Sequence, residues 1–371
     1  MRATPSQSRR SKSSRRWRIT SQLGRSSGET SSRKADHVRI NLERDVSSKG
    51  LTAGFERWRF VNCALPEIDL DEVRTSTVFL GRTLSAPLLI SCMTGGTEQA
   101  KAINLTLARV AQEHALAMGL GSARALLEDP ELLETFDVRS AAPDVLLFAN
   151  LGAVQLNKGY GVDECRRLLE LLRADALVLH VNAIQEALQP EGDTCFRGLV
   201  DRIARVCERI DAPVIVKEVG WGIDPDTVHA LFEAGVAAVD IAGAGGTSWS
   251  EVERYRIEEP WRAQVAEEFA GWGIPTADAL AGARRERSNG LLIASGGIRS
   301  GMDFAKAIAL GADLAGIAGP FLRAANAGPD AASALARELT QVLRVAMFGL
   351  GERTIHDLQR TKRLVRVNEE R

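Results

Sequence analysis

Eight short apolar runs recur along the chain from Pro87 onward, and nearly every one ends in glycine or polar residues. They are 87–91 (PLLIS), 117–122 (AMGLGS), 145–150 (VLLFAN), 176–181 (ALVLHV), 213–218 (PVIVKE), 237–242 (AAVDIA), 291–296 (LLIASG) and 314–319 (LAGIAG). Most intervening stretches carry apolar residues at helical spacing, as in 99–115 (QAKAINLTLARVAQEHA), 161–174 (GVDECRRLLELLRA), 196–210 (FRGLVDRIARVCERI) and 224–236 (DPDTVHALFEAGV). Strands of this length alternating with amphipathic helices predict an α/β fold, a parallel (β/α)8 TIM barrel. In such a barrel the residues just past the strand ends build the active site.

The same pattern divides the chain. Residues 85–350 hold the barrel, within the span of about 200–400 residues the fold usually takes. The first 33 residues carry nine Arg or Lys against one Glu, are rich in Ser and lack apolar periodicity. Residues 1–32 therefore read as a disordered basic arm. Residues 33–84 read as a helix, a loop and a short hairpin covering the bottom of the barrel, and 351–371 as a C-terminal tail. A formal net charge of −1 argues against a nucleic-acid binder. No apolar run reaches the ~18 residues of a membrane span. The five cysteines are odd in number and scattered, with no paired C-x-x-C, which fits a reduced cytoplasmic protein.

Chemistry enters at the strand ends. The first run leads into Cys92-Met93-Thr94-Gly95-Gly96, where paired glycines serve a tight turn or let a flat ring or phosphate approach the backbone. The second ends at Gly121-Ser122 with Arg124 close behind, and the third at Asn150. The fourth yields His180 and Asn182, which share a strand parity that aims both at the barrel mouth, followed by Gln185 and Glu186. Lys217 ends a strand as apolar as Pro-Val-Ile-Val. Burying it requires an anionic partner, either a ligand or an acid such as Glu218. The loops after the sixth to eighth strands contain Gly243–Trp249, Ser295–Arg299 and Ala318–Pro320, with Gly301 opening the next helix. Loops after the seventh and eighth strands plus a helix N-terminus are the usual barrel phosphate site, and Arg299 can add charge-assisted hydrogen bonds.

With these residues in place, the chain resembles the type 2, FMN-dependent isopentenyl-diphosphate isomerases from Arg33 to about Gly351. The phosphate loops are shared across many FMN barrels. More specific are 33–38 (RKADHV), 93–96 (MTGG), 179–193 (LHVNAIQEALQPEGD), 214–223 (VIVKEVGWGI) and 243–256 (GAGGTSWSEVERYR). The resemblance implies that Met93, Thr94, Gly95, Ser122, Asn150, Lys217, Thr247, Gly297, Ile298, Arg299, Ala318 and Gly319 hold FMN. It places Arg33, Lys34, Ser122, Ala123, Arg124, His180, Asn182 and Gln185 at the isoprenoid diphosphate, with Gln185 beside the reacting alkene and Glu186 on a Mg2+ that bridges the diphosphate. Gln185, His180 and Lys217 are the implied catalytic residues, and Glu253 and Arg256 match further polar positions. NADPH is the implied reductant that primes the flavin, and a homo-oligomer, tetramer or octamer, is the implied assembly.

Three positions depart from the family pattern. Ala123 stands where many members carry Gln, Ala242 replaces a common Ser, and Val219 occupies a position that is Ser in others. An FMN oxidase of hydroxy acids is the main rival. It wants a His base near the flavin, yet the histidines at 37, 114, 180, 229 and 356 put none on the loops after the sixth to eighth strands. A nucleophilic Cys after the sixth strand, as IMP-dehydrogenase-like chemistry requires, is also missing, since no Cys follows Cys207.

Overall fold

A computed structural model describes residues 27–286 and 289–367. Three short strands precede the barrel: β1 (Trp58–Phe60), β2 (Thr77–Phe79) and β3 (Arg82–Leu84). The barrel strands are β4 (Leu88–Ile90), β5 (Ala117–Gly119), β6 (Leu146–Gly152), β7 (Ala176–His180), β8 (Val214–Lys217), β9 (Ala238–Asp240), β10 (Leu291–Ser295) and β11 (Leu314–Ile317). They close in chain order, β11 pairing with β4, and every pair is parallel. Each barrel strand begins inside one of the eight apolar runs, and β6 runs two residues past its own, to Gly152. Continuous burial explains the runs: the seven residues of β6 are all buried, because helices cover the outside while side chains fill the inside.

The segment read as a cover for the bottom of the barrel splits between its two ends. The β2–β3 hairpin sits at the bottom. There Phe79 and Leu84 pack with Leu89, Ala117, Leu146, Phe148 and Ile215 of the barrel interior. The helix Ser27–Glu43 lies instead at the top, where Arg33, Lys34, His37, Val38 and Asn41 line the mouth. Arg33 and Lys34 have nothing to match in an apolar floor, whereas the mouth offers carboxylates and amides. The helix backbone also begins at Ser27, so the last part of the arm read as disordered is helical; residues 1–26 lie outside the described residues.

The tail is tied down as well. Strand β12 (Leu364–Arg366) pairs antiparallel with β1, Trp58 opposite Arg366. No helix among the described residues is long and apolar enough to cross a membrane.

Candidate active site at the barrel mouth

One cavity of ≈ 590 Å³ opens at the C-terminal ends of the strands, inside the range of about 300–1,000 Å³ for small-molecule pockets. Strand register builds its inner wall. Gly152 on β6, His180 on β7, Lys217 on β8 and Asp240 on β9 are successive partners in one row around the ring. A run of apolar residues up to these positions seals the core below; Asn150, His180 and Lys217 meet the cavity, and Asp240 is buried beside it.

His180 is held by its neighbour. Its Nδ1 lies 2.8 Å from Asn150 Oδ1, an atom that only accepts, so the proton sits on Nδ1 and Nε2 carries the lone pair. Burial, reinforced by the charges of Lys217, Arg33, Arg124 and Lys34, depresses its pKa to about 3. His180 is therefore a neutral imidazole at neutral pH.

The short helix Ala183–Leu188 carries the next group. Asn182 Nδ2 donates to Gln185 Oε1 at 3.1 Å and to Glu186 Oε1 at 2.9 Å. Gln185 Nε2 in turn donates to Glu253 Oε1 at 2.8 Å, and Gln189 Nε2 reaches the same oxygen at 3.0 Å. Arg256 Nη1 donates to Glu253 Oε2. His37 Nε2 lies 3.2 Å from Glu253 Oε1 without hydrogen-bond alignment. Burial pushes the Glu253 carboxyl up, but the adjacent His37 ring, the Arg256 charge and the Gln185 amide outweigh it and hold the pKa at about 2. Burial keeps His37 on its neutral side. Glu253 is therefore an ionised carboxylate behind the wall, where it fixes the Gln185 amide and links three elements of the mouth.

Two groups of cations flank the cavity. On one side Lys34 donates to the Ser122 carbonyl at 2.8 Å and stands over the Phe136 ring, Arg33 donates to Gln189 Oε1 at 3.1 Å, and Arg124 pairs with Glu128. Burial, with Arg33 and Arg124 close by, lowers the Lys34 pKa to about 7. Across the ring, beyond β10 and β11, Arg299 and Arg323 are exposed on the wall. The helix Gly301–Ala309 starts there with a Ser300–Asp303 capping box, next to the helix Gly319–Ala327. A Cβ at Gly319 would meet only the Arg323 guanidinium, at an ordinary contact distance of 3.5 Å, so packing alone does not require this glycine. Gly296 differs: a Cβ would lie 2.0 Å from the Gly243 carbonyl, so packing of one loop on the next requires this glycine, whatever binds above.

Every residue that sequence reading assigned to cofactor, substrate or metal lines this cavity except Ala123. Ala123 is fully buried behind it and donates its N–H to the Asn150 carbonyl, so its methyl group faces the core and not a ligand. Glu186 is partly exposed on the wall, with Oε1 held by Asn182 and Oε2 by the Asp193 N–H at 2.6 Å. His37 and Gln189 line the cavity as well and Asp240 lies buried beside it, three residues to which the sequence assigns no role. His37 stood inside a quoted motif, and Gln189 follows Gln185 by one helical turn, which puts both on one face. Asp240 was concealed inside an apolar run.

An eight-stranded parallel barrel with phosphate-type helix ends across from a polar, cation-rich wall defines a class of FMN barrels, and the family model for FMN-dependent dehydrogenases matches residues 173–365. Solved structures of the same shape include a lactate oxidase of Pediococcus acidilactici (TM-score 0.66, 16% identity, covering 92% of this chain and 94% of that one) and a mandelate oxidase in complex with an FMN adduct (TM-score 0.60, 19% identity, 89% and 91%). At that identity they share the fold alone. Curated relatives are much nearer: isopentenyl-diphosphate delta-isomerases of Nostoc sp. (50% identical over 341 residues, 92% of this chain and 97% of the relative), Synechococcus sp. (53% over 316 residues, 85% and 91%) and Rickettsia bellii (47% over 330 residues, 89% and 96%). The chain belongs to the isopentenyl-diphosphate delta-isomerase family of enzymes.

Proposed function

We propose that the cavity binds FMN and an isoprenoid diphosphate together and that the protein interconverts isopentenyl and dimethylallyl diphosphate. The observation that carries this reading is the pair of cationic groups facing each other across one cavity, Arg33, Lys34 and Arg124 on one side and Arg299 and Arg323 on the other. Two anionic ends need two such groups. The residues present fit FMN: Gly297 to Arg299, Ala318 and Gly319 with two helix N-termini would hold its phosphate, and Met93, Thr94, Gly95, Ser122, Asn150, Lys217 and Thr247 would surround its ring.

Bound and reduced, FMN would supply the acid–base group that protonates and deprotonates a very weakly basic alkene. The chain's own part is positioning and charge. Gln185 is held by Asn182 on one side of its amide and by Glu253 on the other, so it presents one orientation to a bound alkene. His180 and Asn182, both tied to neighbours, would contact the diphosphate as neutral hydrogen-bonding groups. The Glu253 carboxylate behind Gln185 favours cationic character in front of it. Trp249, edge-on to His37 at 5.1 Å, covers the mouth with apolar surface.

No cluster of three His, Cys, Asp or Glu side chains among the described residues could cage a metal. The donor set still suits Mg2+, which binds through one or two carboxylates plus phosphate oxygens and water. Glu186 would be that carboxylate, and the buried Asn182 Oδ1 is an oxygen without a hydrogen-bond partner beside it. We further infer a cytoplasmic homo-oligomer, tetramer or octamer, in which NADPH reduces the flavin once before turnover. The exposed Trp261 and Trp272 support self-association.

The test is stoichiometric. Under anaerobic conditions one equivalent of NADPH per flavin should support many turnovers of isopentenyl diphosphate, with solvent deuterium entering the product. One NADPH consumed per product formed would overturn the isomerase reading.

A further inference from the structure

Asp240 is 1% exposed and is the strand partner of Lys217 across β8 and β9. Its Oδ1 accepts from Ser295 Oγ at 2.6 Å and from the Ala242 N–H at 3.3 Å. The second bond supports a turn in which Ala242, without being glycine, adopts φ of 41° at the exit of β9. Its Oδ2 is buried with no hydrogen-bond partner among the described residues, and so is Ser91 Oγ. Gly316 keeps this polar pocket open, since a Cβ there would lie 2.5 Å from Ser91 Oγ and 2.9 Å from Ser295 Cβ.

An unpartnered buried carboxylate oxygen is costly and calls for a reason. The turn does not provide it, because an asparagine amide oxygen would accept from Ser295 and Ala242 equally well. What asparagine lacks is charge, and charge is what the neighbourhood asks for. Lys217 brings an ammonium to the cavity floor, where it donates to the Glu218 carbonyl at 2.5 Å. The Glu218 carboxylate is already spent on the loop beyond β8, accepting from the N–H groups of Gly220, Trp221 and Gly222 at 2.7, 2.6 and 3.2 Å. Burial raises the Asp240 carboxyl above its ordinary range, and the charge of Lys217 opposes that rise without cancelling it. Burial pushes the Cys92 thiol on the same wall up, and it feels both charges, Lys217 favouring the thiolate and Asp240 opposing it.

We propose that Asp240 is a positioning residue acting through Lys217: Oδ1 shapes the β9 exit, and Oδ2 supplies the negative charge that offsets the ammonium at the cavity floor. The charge a bound ligand meets there is then set by the pair and not by the lysine alone.

Asp240→Asn isolates the proposal because it keeps the Oδ1 acceptor and the shape. In flavin-free protein, the rate of Cys92 alkylation by iodoacetamide, read peptide by peptide in a mass spectrometer, should rise several-fold in Asp240→Asn. It should fall in Lys217→Gln, and in the double variant the Asp240→Asn effect should shrink. With FMN bound, a readout that rests on the cofactor reading above, sulfite forms an anionic adduct with the ring, so Asp240→Asn should bind sulfite about tenfold more tightly, the size expected of one charge several ångströms away at partial screening. A folded Asp240→Asn protein with unchanged thiol reactivity and sulfite affinity would confine the carboxylate to the turn and overturn the inference. So would a variant that fails to fold where the parent folds. Failure of the parent to bind FMN would sink the cofactor reading, and the thiol rates would still decide this one.

Discussion

Lys34 shows how a single residue couples binding to pH. With its pKa lowered to about 7 by burial and by Arg33 and Arg124, it is mostly neutral at pH 8 in the free protein. A diphosphate beside it adds negative charge, raises the pKa toward the ordinary lysine range and draws in a proton. Binding of inorganic diphosphate at pH 8 should therefore take up close to one proton, measurable by calorimetry in buffers of different ionisation enthalpy, with less uptake at pH 6, where Lys34 is already charged. Lys34→Met should abolish the uptake; if it persists, another group titrates. Glu186→Gln should raise the Mg2+ concentration for half-maximal activity at least several-fold while FMN stays bound, and an unaltered Mg2+ titration would move the metal elsewhere. His180 and Lys217 stand out in the sequence because a polar side chain at the end of an apolar run has few structural uses, whereas Lys34 lies outside any apolar run and is pointed to by the family resemblance alone. Ala123 misled because adjacency to Ser122 and Arg124 says nothing about which way a loop methyl points.

At the scale of elements, the barrel strands were legible and the helix Ser27–Glu43 was misplaced. Strands buried on both faces leave an unmistakable signature, whereas a polar helix is held by partners far away in sequence. Its anchor is Glu253, a carboxylate with a fully buried side chain that meets His37 from this helix and Gln185, Gln189 and Arg256 from elsewhere. Glu253→Gln leaves Arg256 partly uncompensated, and breaking a buried ion pair on one side costs about 3–5 kcal/mol. The variant should lose stability of that order in denaturant unfolding and should raise KM for the diphosphate as the mouth loosens. Loss of kcat alone, with stability intact, would show that Glu253 does not hold the mouth together. Removing residues 1–26 should spare activity, and extending the deletion through Lys34 should raise KM. If both truncations behave alike, Arg33 and Lys34 do not serve the substrate.

The whole molecule separates stability from chemistry along the barrel axis. Gly152, His180 and Lys217 line the cavity at the top, and the interior cluster that holds Phe148, Ile215 and Ile293 is closed from below by the β2–β3 hairpin. Phe79 is the centre of that closure, 1% exposed, with its ring centroid 6.4 Å from that of Phe148. A hairpin over the bottom of the barrel is what the sequence suggests, but which of its side chains fills the floor is not legible, since a short two-strand turn does not show which residue points inward. Barrels place function at the C-terminal face and leave the N-terminal face to stability. Phe79→Ala should then cost about 3–5 kcal/mol, as for other buried aromatic truncations, while a layer of intact side chains shields the cavity from the change. Denaturant unfolding should show the loss, and titration of FMN into the folded variant should give a Kd within about twofold of the parent. A large loss of FMN affinity in protein that remains folded would mean that the floor transmits strain to the mouth, and that the two ends of this barrel are mechanically coupled.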